Sequence, residues 1–164
     1  MKKILLFVYS NPELYPPTIN AANIFSEKGH NVILVGFLSE IPGSIKIHKE
    51  IRIINLGLLK LGIHGVFQYL RTIFRLILIT KKNSPDWIIS YDAYASIITA
   101  ISAYLNRIKW VYYQHDYWEN PIGLWQKIIF KLEKKAVQSS EFWCFPQHQR
   151  AKEFSKNSPK KKEV

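Results

Sequence analysis

A chain of 164 residues, 48% hydrophobic and 21% charged, carries enough apolar material for one packed domain and is not an extended disordered chain. Its 23 Lys and Arg against 12 Asp and Glu give a net charge of +11, which attracts nucleic acid, acidic membrane surfaces or phosphorylated ligands without choosing among them. The single cysteine, Cys144, excludes an internal disulfide and a multi-cysteine metal site, and it fits a reducing compartment.

The first element is the apolar run at residues 4–9, a strand buried on both faces of a parallel sheet. The run is too short for a signal peptide and is interrupted by Asn11-Pro12-Glu13. A loop with Pro12, Pro16 and Pro17 follows. A helix then starts near Pro17, carries Ala21, Ala22, Ile24 and Phe25, and stops at Gly29. Residues 31–37 read as a second strand and residues 45–56 as a third, with Ile45, Ile47, Ile51 and Ile53 at mostly even spacing. From 64 to 82 the period becomes helical, with Gln68, Arg71, Thr72, Arg75 and Lys82 as a narrow polar stripe on an otherwise apolar helix. The apolar stretch 66–80 falls short of the roughly 20 residues that a membrane span needs.

Pro85-Asp86 breaks the chain before a strand at 87–91, after which Asp92 caps a helix reaching Asn106, apolar nearly all round. Residues 109–114 form a further strand. Asn120-Pro121 opens a helix to Gln138 whose core stripe is Trp125, Ile128, Ile129, Leu132 and Ala136. A short strand at 141–145, with Cys144 as a small core residue, and a short helix at 147–154 complete a domain spanning residues 1–154. Residues 155–164, with Lys160, Lys161 and Lys162, have no apolar period and are expected as a basic, disordered tail.

This alternation predicts an α/β fold: a Rossmann-like parallel sheet with helices on both faces. Ligands of such sheets sit outside the carboxyl ends of the strands. That rule selects Ser10, Asn11 and Tyr15 in the first loop, Tyr91, Asp92 and Tyr94 after the 87–91 strand, and His115, Asp116 and Glu119 after the 109–114 strand as substrate-binding candidates. Asp92 reads equally as a helix cap, and His115 equally as a residue that satisfies backbone groups of its turn. Residues 10–28 contain no glycine, so there is no dinucleotide fingerprint. His115, Asp116 and Glu119 lack a second histidine and a helical register, so neither a metal nor another cofactor is expected. No recognition helix, zinc spacing or aromatic RNA-binding strand is present, so no nucleic-acid partner is expected.

Five segments in order carry a family resemblance: Lys3-Ile-Leu-Leu-Phe-Val, Glu27-Lys-Gly-His-Asn-Val-Ile-Leu-Val, Pro85-Asp86-Trp-Ile-Ile-Ser-Tyr-Asp92, Val111-Tyr-Tyr-Gln-His115-Asp116, and Leu132-Glu133-Lys-Lys-Ala136 with residues 140–145. Over residues 3–154 the chain resembles the N-terminal, acceptor-side domain of family 4 GT-B glycosyltransferases. The resemblance implies a GT-B half-domain of a sugar transferase for surface polysaccharide, with His115 as the catalytic residue at the acceptor cleft. It implies a glycan or lipid-linked acceptor, and a nucleotide sugar held only with a donor domain, supplied by a second chain or by residues lost from this one. Such a protein is expected to be cytoplasmic, peripheral on the inner face of the plasma membrane. Two features depart from the family pattern. Residues 10–28 lack its glycines, and Ser140-Glu141 and Pro146-Gln147 replace its Ala-Asp and its serine.

Residues 56–82 interleave Leu58, Leu59, Leu61, Ile63, Val66 and Phe67 with Lys60, Arg71 and Arg75. This pattern is more often a core helix with a narrow solvent stripe, and it also suits a helix lying on an anionic bilayer. Lys127, Lys131, Lys134 and Lys135 make one face of a later helix basic. Two functions stay open at this point: the acceptor half of a transferase, or a non-catalytic scaffold domain in a membrane-surface complex.

Overall fold

The computed structural model describes residues 1–37, 46–115 and 123–156. Six strands, β1 (Lys3–Val8), β2 (Asn31–Gly36), β3 (Arg52–Asn55), β4 (Trp87–Tyr91), β5 (Lys109–Tyr113) and β6 (Phe142–Cys144), pair in parallel in the order β3-β2-β1-β4-β5-β6. The chain starts at the centre, winds outward to β3, then returns to β4 and winds the other way. Ile4, Leu6 and Val8 of β1 pack with Ile19 and Ala22 of α1 (Pro16–Glu27) on one face. Leu5 and Phe7 face α2 (Gly62–Asn83), α3 (Asp92–Asn106) and α4 (Leu124–Val137) on the other, where Phe154 of α5 (His148–Lys156) also packs. Burial on both faces is why the first strand is a continuous apolar run rather than an alternating one.

The two windings are joined at the amino ends of β1 and β4. There Lys3 N–H donates to Asp86 Oδ2 at 2.7 Å, Asp86 N–H donates to Lys3 O at 2.8 Å, and Lys3 Nζ donates to Asn83 O at 2.7 Å. The Lys3 N–H, helped by Lys2, holds the Asp86 carboxyl below its usual range. At the end of α1, Gly29 takes a φ of +79°, and His30 N–H donates to Phe25 O, so the glycine stops the helix as expected.

Three expectations are corrected. Within the described residues the third strand is confined to Arg52–Asn55, because residues 46–48 are held by α1 instead of the ladder. Asn23 donates to Lys46 O and accepts from His48 N–H, both at 2.9 Å. Residues 38–45, including Ile45, lie outside the described residues, as does the Asn120-Pro121 helix start.

The second correction concerns α2. Its buried positions are Tyr69, Thr72, Leu76, Thr80 and Asn83, and its outermost face is apolar, with Ile63, Phe67, Phe74 and Leu78 exposed at 70, 66, 68 and 64%. The polar groups turned inward are satisfied. Thr72 Oγ1 donates to Gln68 O, Thr80 Oγ1 lies 2.7 Å from both Ser102 Oγ and Asn106 Nδ2, and Arg52 donates to Asn83 Oδ1. The expected polar stripe therefore splits: Thr72 is core, Gln68 and Arg75 lie on a flank, and Arg71 and Lys82 are exposed.

Third, α4 is rotated from its expected register. Ile129, Glu133 and Val137 face inward, while Trp125, Ile128 and Leu132 are exposed. The carboxyl of Glu133 accepts a short hydrogen bond from the buried Tyr112 hydroxyl, which lets an acidic residue occupy a core position.

Candidate functional site

The carboxyl ends of β1, β4 and β5 meet where the strand order reverses, the place where open α/β sheets bind ligands. β4 passes into α3 with no intervening loop. Asp92, the first residue of the helix, takes a φ of +63°, a left-handed conformation that a non-glycine residue adopts at a cost and that Asp tolerates better than most. The cap position falls to Tyr91, so Asp92 is not the expected helix cap. The turn aims the Asp92 carboxylate sideways at the end of β5, where Oδ1 accepts the His115 N–H at 2.6 Å. Arg150 of α5 donates to His115 O at 3.4 Å, and the His115 ring packs edge-on against Tyr15 with centroids 5.6 Å apart. Among the described residues the imidazole nitrogens of His115 make no hydrogen bond, and the ring is half-buried.

Of the sequence candidates, the structure thus brings Tyr15, Asp92 and His115 together. Ser10 is occupied through its backbone, accepting the Phe37 N–H at 2.9 Å. Asn11 is buried; its Oδ1 accepts from Glu13 N–H and fixes the short 3-10 turn Pro12–Leu14. Asn11 Nδ2 has no partner among the described residues. Tyr91 does not reach the edge. Its side chain sits in the α1-side core against Tyr113, where burial raises its hydroxyl pKa. Asp116 and Glu119 lie outside the described residues. No group of three His, Cys, Asp or Glu side chains among the described residues could hold a metal ion.

Tyr94 belongs to a second cluster that sequence reading missed. It stacks on Tyr9 at 5.8 Å and accepts the Tyr69 hydroxyl at its backbone oxygen, 3.0 Å away. Burial, with Tyr94 adding to it, pushes the Tyr9 hydroxyl up to about 12, so it remains a hydrogen-bond donor at neutral pH. These three rings, with Leu59, Leu61 and the Trp125 indole, line a mostly apolar cleft of about 480 Å³. One signal in the sequence marked it. Gly65 sits in the first turn of α2, where a Cβ would lie 2.7 Å from Lys60 O, so only glycine lets the 56–61 loop approach the helix this closely.

Comparison with known proteins follows the same lines. The family model described as glycosyl transferase 4-like matches residues 3–141. Over 143 residues, 84% of its length, the chain is 27% identical to the UDP-N-acetylglucosamine–N-acetylmuramyl-(pentapeptide) pyrophosphoryl-undecaprenol N-acetylglucosamine transferase of Sulfurihydrogenibium sp. (strain YO3AOP1), and it spans 40% of that protein. Sucrose-phosphate synthase from Thermosynechococcus elongatus superposes with a TM-score of 0.73 at 11% identity, over 100% of this chain and 47% of the synthase. The MnaA–UDP structure from S. aureus gives 0.68 at 15% identity, over 100% of this chain and 44% of the other. At these identities the two superpositions establish the fold alone, a Rossmann-like α/β sheet that corresponds to less than half of each larger chain. Because the family match runs from the first residue of β1 almost to β6, the chain belongs to the glycosyl transferase 4-like family.

Proposed function

We propose that the chain is the acceptor-binding half of a glycosyltransferase, moving a sugar from a nucleotide sugar to a hydroxyl of a glycan or lipid-linked acceptor. The observation that carries this reading is the state of His115. Its backbone is pinned by Asp92 and Arg150, and its ring nitrogens are left without a protein partner among the described residues. A histidine whose backbone is fixed from two sides at a switch point suits a group that polarises or deprotonates an acceptor hydroxyl. In this reading Tyr15, Asp92 and Tyr94 frame the acceptor, and the tyrosine-lined cleft takes its apolar part.

The relative named for a pyrophosphoryl-undecaprenol acceptor supports a lipid-linked substrate. The apolar outer face of α2 and the +11 charge support contact with an anionic bilayer at the inner face of the plasma membrane. No helix of the described residues is long and apolar enough to cross one. The donor nucleotide falls to a second domain, in keeping with the 40% of the relative that this chain spans.

The test is His115→Ala, assayed with a complementary donor domain. Turnover is expected to fall roughly 100-fold or more, the scale of a positioned acid, base or polarising group. The melting temperature should hold, because the ring is not a core side chain. A variant that loses about 1–3 kcal/mol of stability yet turns over at the wild-type rate would make His115 a turn residue.

A further inference from the structure

Residues 51–85 contain Arg52, Lys60, Arg71, Arg75, Lys81 and Lys82 and not one Asp or Glu. On the neighbouring helices, α3 has only Asp92, engaged at the sheet edge, and α4 only Glu133, which is buried. The outward surfaces of α2, α3 and α4 therefore present cations and apolar groups with no carboxylate to answer them. Three of these basic groups, Lys60, Arg71 and Arg75, converge with His64. The 56–61 loop folds back along one flank of α2 and is clamped there by side chains. Gln68 accepts the Lys60 N–H and donates to Leu58 O, both at 2.7 Å, Arg75 Nη1 donates to Leu56 O at 2.7 Å, and Asn55 Oδ1 accepts the Gly57 N–H at 2.8 Å. Between loop and helix this leaves a cleft of about 460 Å³ lined by Lys60, His64, Arg71 and Arg75 together with Leu58 and Phe67. Positive groups held close together repel one another, and an anion in the cleft relieves that repulsion while accepting charge-assisted hydrogen bonds. Phe67 borders both this cleft and the exposed apolar stripe of α2, so an anion bound here lies level with whatever that stripe touches.

We infer that the cleft formed by Lys60, His64, Arg71 and Arg75 binds the phosphate of an anionic lipid while the apolar face of α2 rests on the bilayer. The inference deepens the reading of a membrane-facing acceptor half, and it rests on that reading for the source of the phosphate. Guanidinium groups match the geometry of phosphate oxygens, and the loop that carries Lys60 is already ordered before any ligand arrives.

The experiment uses the full chain and co-sedimentation with three kinds of vesicle: phosphatidylcholine alone, phosphatidylcholine with phosphatidylglycerol, and phosphatidylcholine with a carboxylate amphiphile at matched zeta potential. Two double variants are compared, Lys60→Gln with Arg71→Gln, and Lys81→Gln with Lys82→Gln. Each removes two exposed charges from α2 or its loop, and each is checked by thermal melting. The wild type is expected to bind the phosphatidylglycerol vesicles severalfold more tightly than the carboxylate vesicles. The cleft pair should weaken that binding about tenfold more than the control pair, since diffuse attraction counts every surface cation about equally. Equal losses from both pairs overturn the cleft as a site while leaving membrane contact intact. Equal binding to the two anionic vesicles overturns phosphate as its ligand. A final arm titrates glycerol 3-phosphate and follows amide shifts of residues 56–75. Saturable shifts without binding to any vesicle would overturn the lipid source and the membrane reading together, and leave a site for soluble phosphate esters.

Discussion

Asp92 combines backbone strain with a contact that no neighbouring residue could make. Its φ of +63° costs a non-glycine residue about 1–2 kcal/mol, and the same turn delivers its carboxylate to the N–H of His115. Asparagine shares both properties, being tolerant of the left-handed conformation and able to accept through Oδ1. Asp92→Asn should therefore stay within about 0.5 kcal/mol of the wild type. Asp92→Ala keeps the strain and strands the His115 N–H, for an expected loss of about 2–3 kcal/mol. Asp92→Gly relieves the strain only and should fall between them. Urea denaturation of the three variants tests the order, and an alanine variant as stable as the asparagine one would refute it. The sequence offers Asp92 as a helix cap because a carboxylate at a strand–helix junction usually serves one. A hydrogen bond to a residue 23 positions away leaves no local pattern.

Helices α2 and α4 mark where periodicity stops informing. Their existence follows from the 3.6-residue repeat, but their rotation about their own axes does not, and α4 starts at Leu124, after the expected Asn120-Pro121. On α2 the most apolar face is turned outward, while Thr72, Thr80 and Asn83 face the core with satisfied hydrogen bonds. On α4 a search for apolar residues passes over Glu133, which is one of the three inward positions. The tyrosine-lined cleft is hidden for a similar reason. Tyr9, Tyr69, Tyr94 and Trp125 are far apart in sequence and meet only when α2 and α3 start from the same edge of the sheet.

The rotation of α4 has a measurable consequence. Burial raises Glu133 from an ordinary value of 4.5 to about 7, against the opposing pull of the Tyr112 hydrogen bond. Between these two values the unfolded chain has lost a proton that the folded chain retains. Stability therefore falls as pH rises through that window and levels off above it, by on the order of 3 kcal/mol. Glu133→Gln mimics the neutral carboxyl and should remove this term. Its melting temperature should be close to that of the wild type at pH 5 and clearly higher at pH 8. A difference between the two proteins that does not change with pH would exclude a neutral, buried carboxyl.

At the scale of the whole molecule, the chain spans 40% of its curated relative and less than half of both superposed enzymes. The proposed division of labour gives it the acceptor and gives the departing nucleotide to another domain, so half of the electrostatic cradle for the transition state lies outside these residues. The purified chain is accordingly expected to transfer no sugar from any nucleotide donor, and to gain activity on mixing with a cognate donor domain. Robust turnover by the chain alone would refute that division. The sheet itself limits how such a domain can attach. Its two outer strands, β3 and β6, are only four and three residues long, and β3 begins with the exposed side chain of Arg52. Short borders of this kind give an incoming strand few backbone groups to pair with, which guards against edge-to-edge aggregation and equally disfavours strand addition as a mode of assembly. On the proposed division of labour, a donor domain would be gripped by loops and helices, and its position could shift over them without breaking a β-ladder.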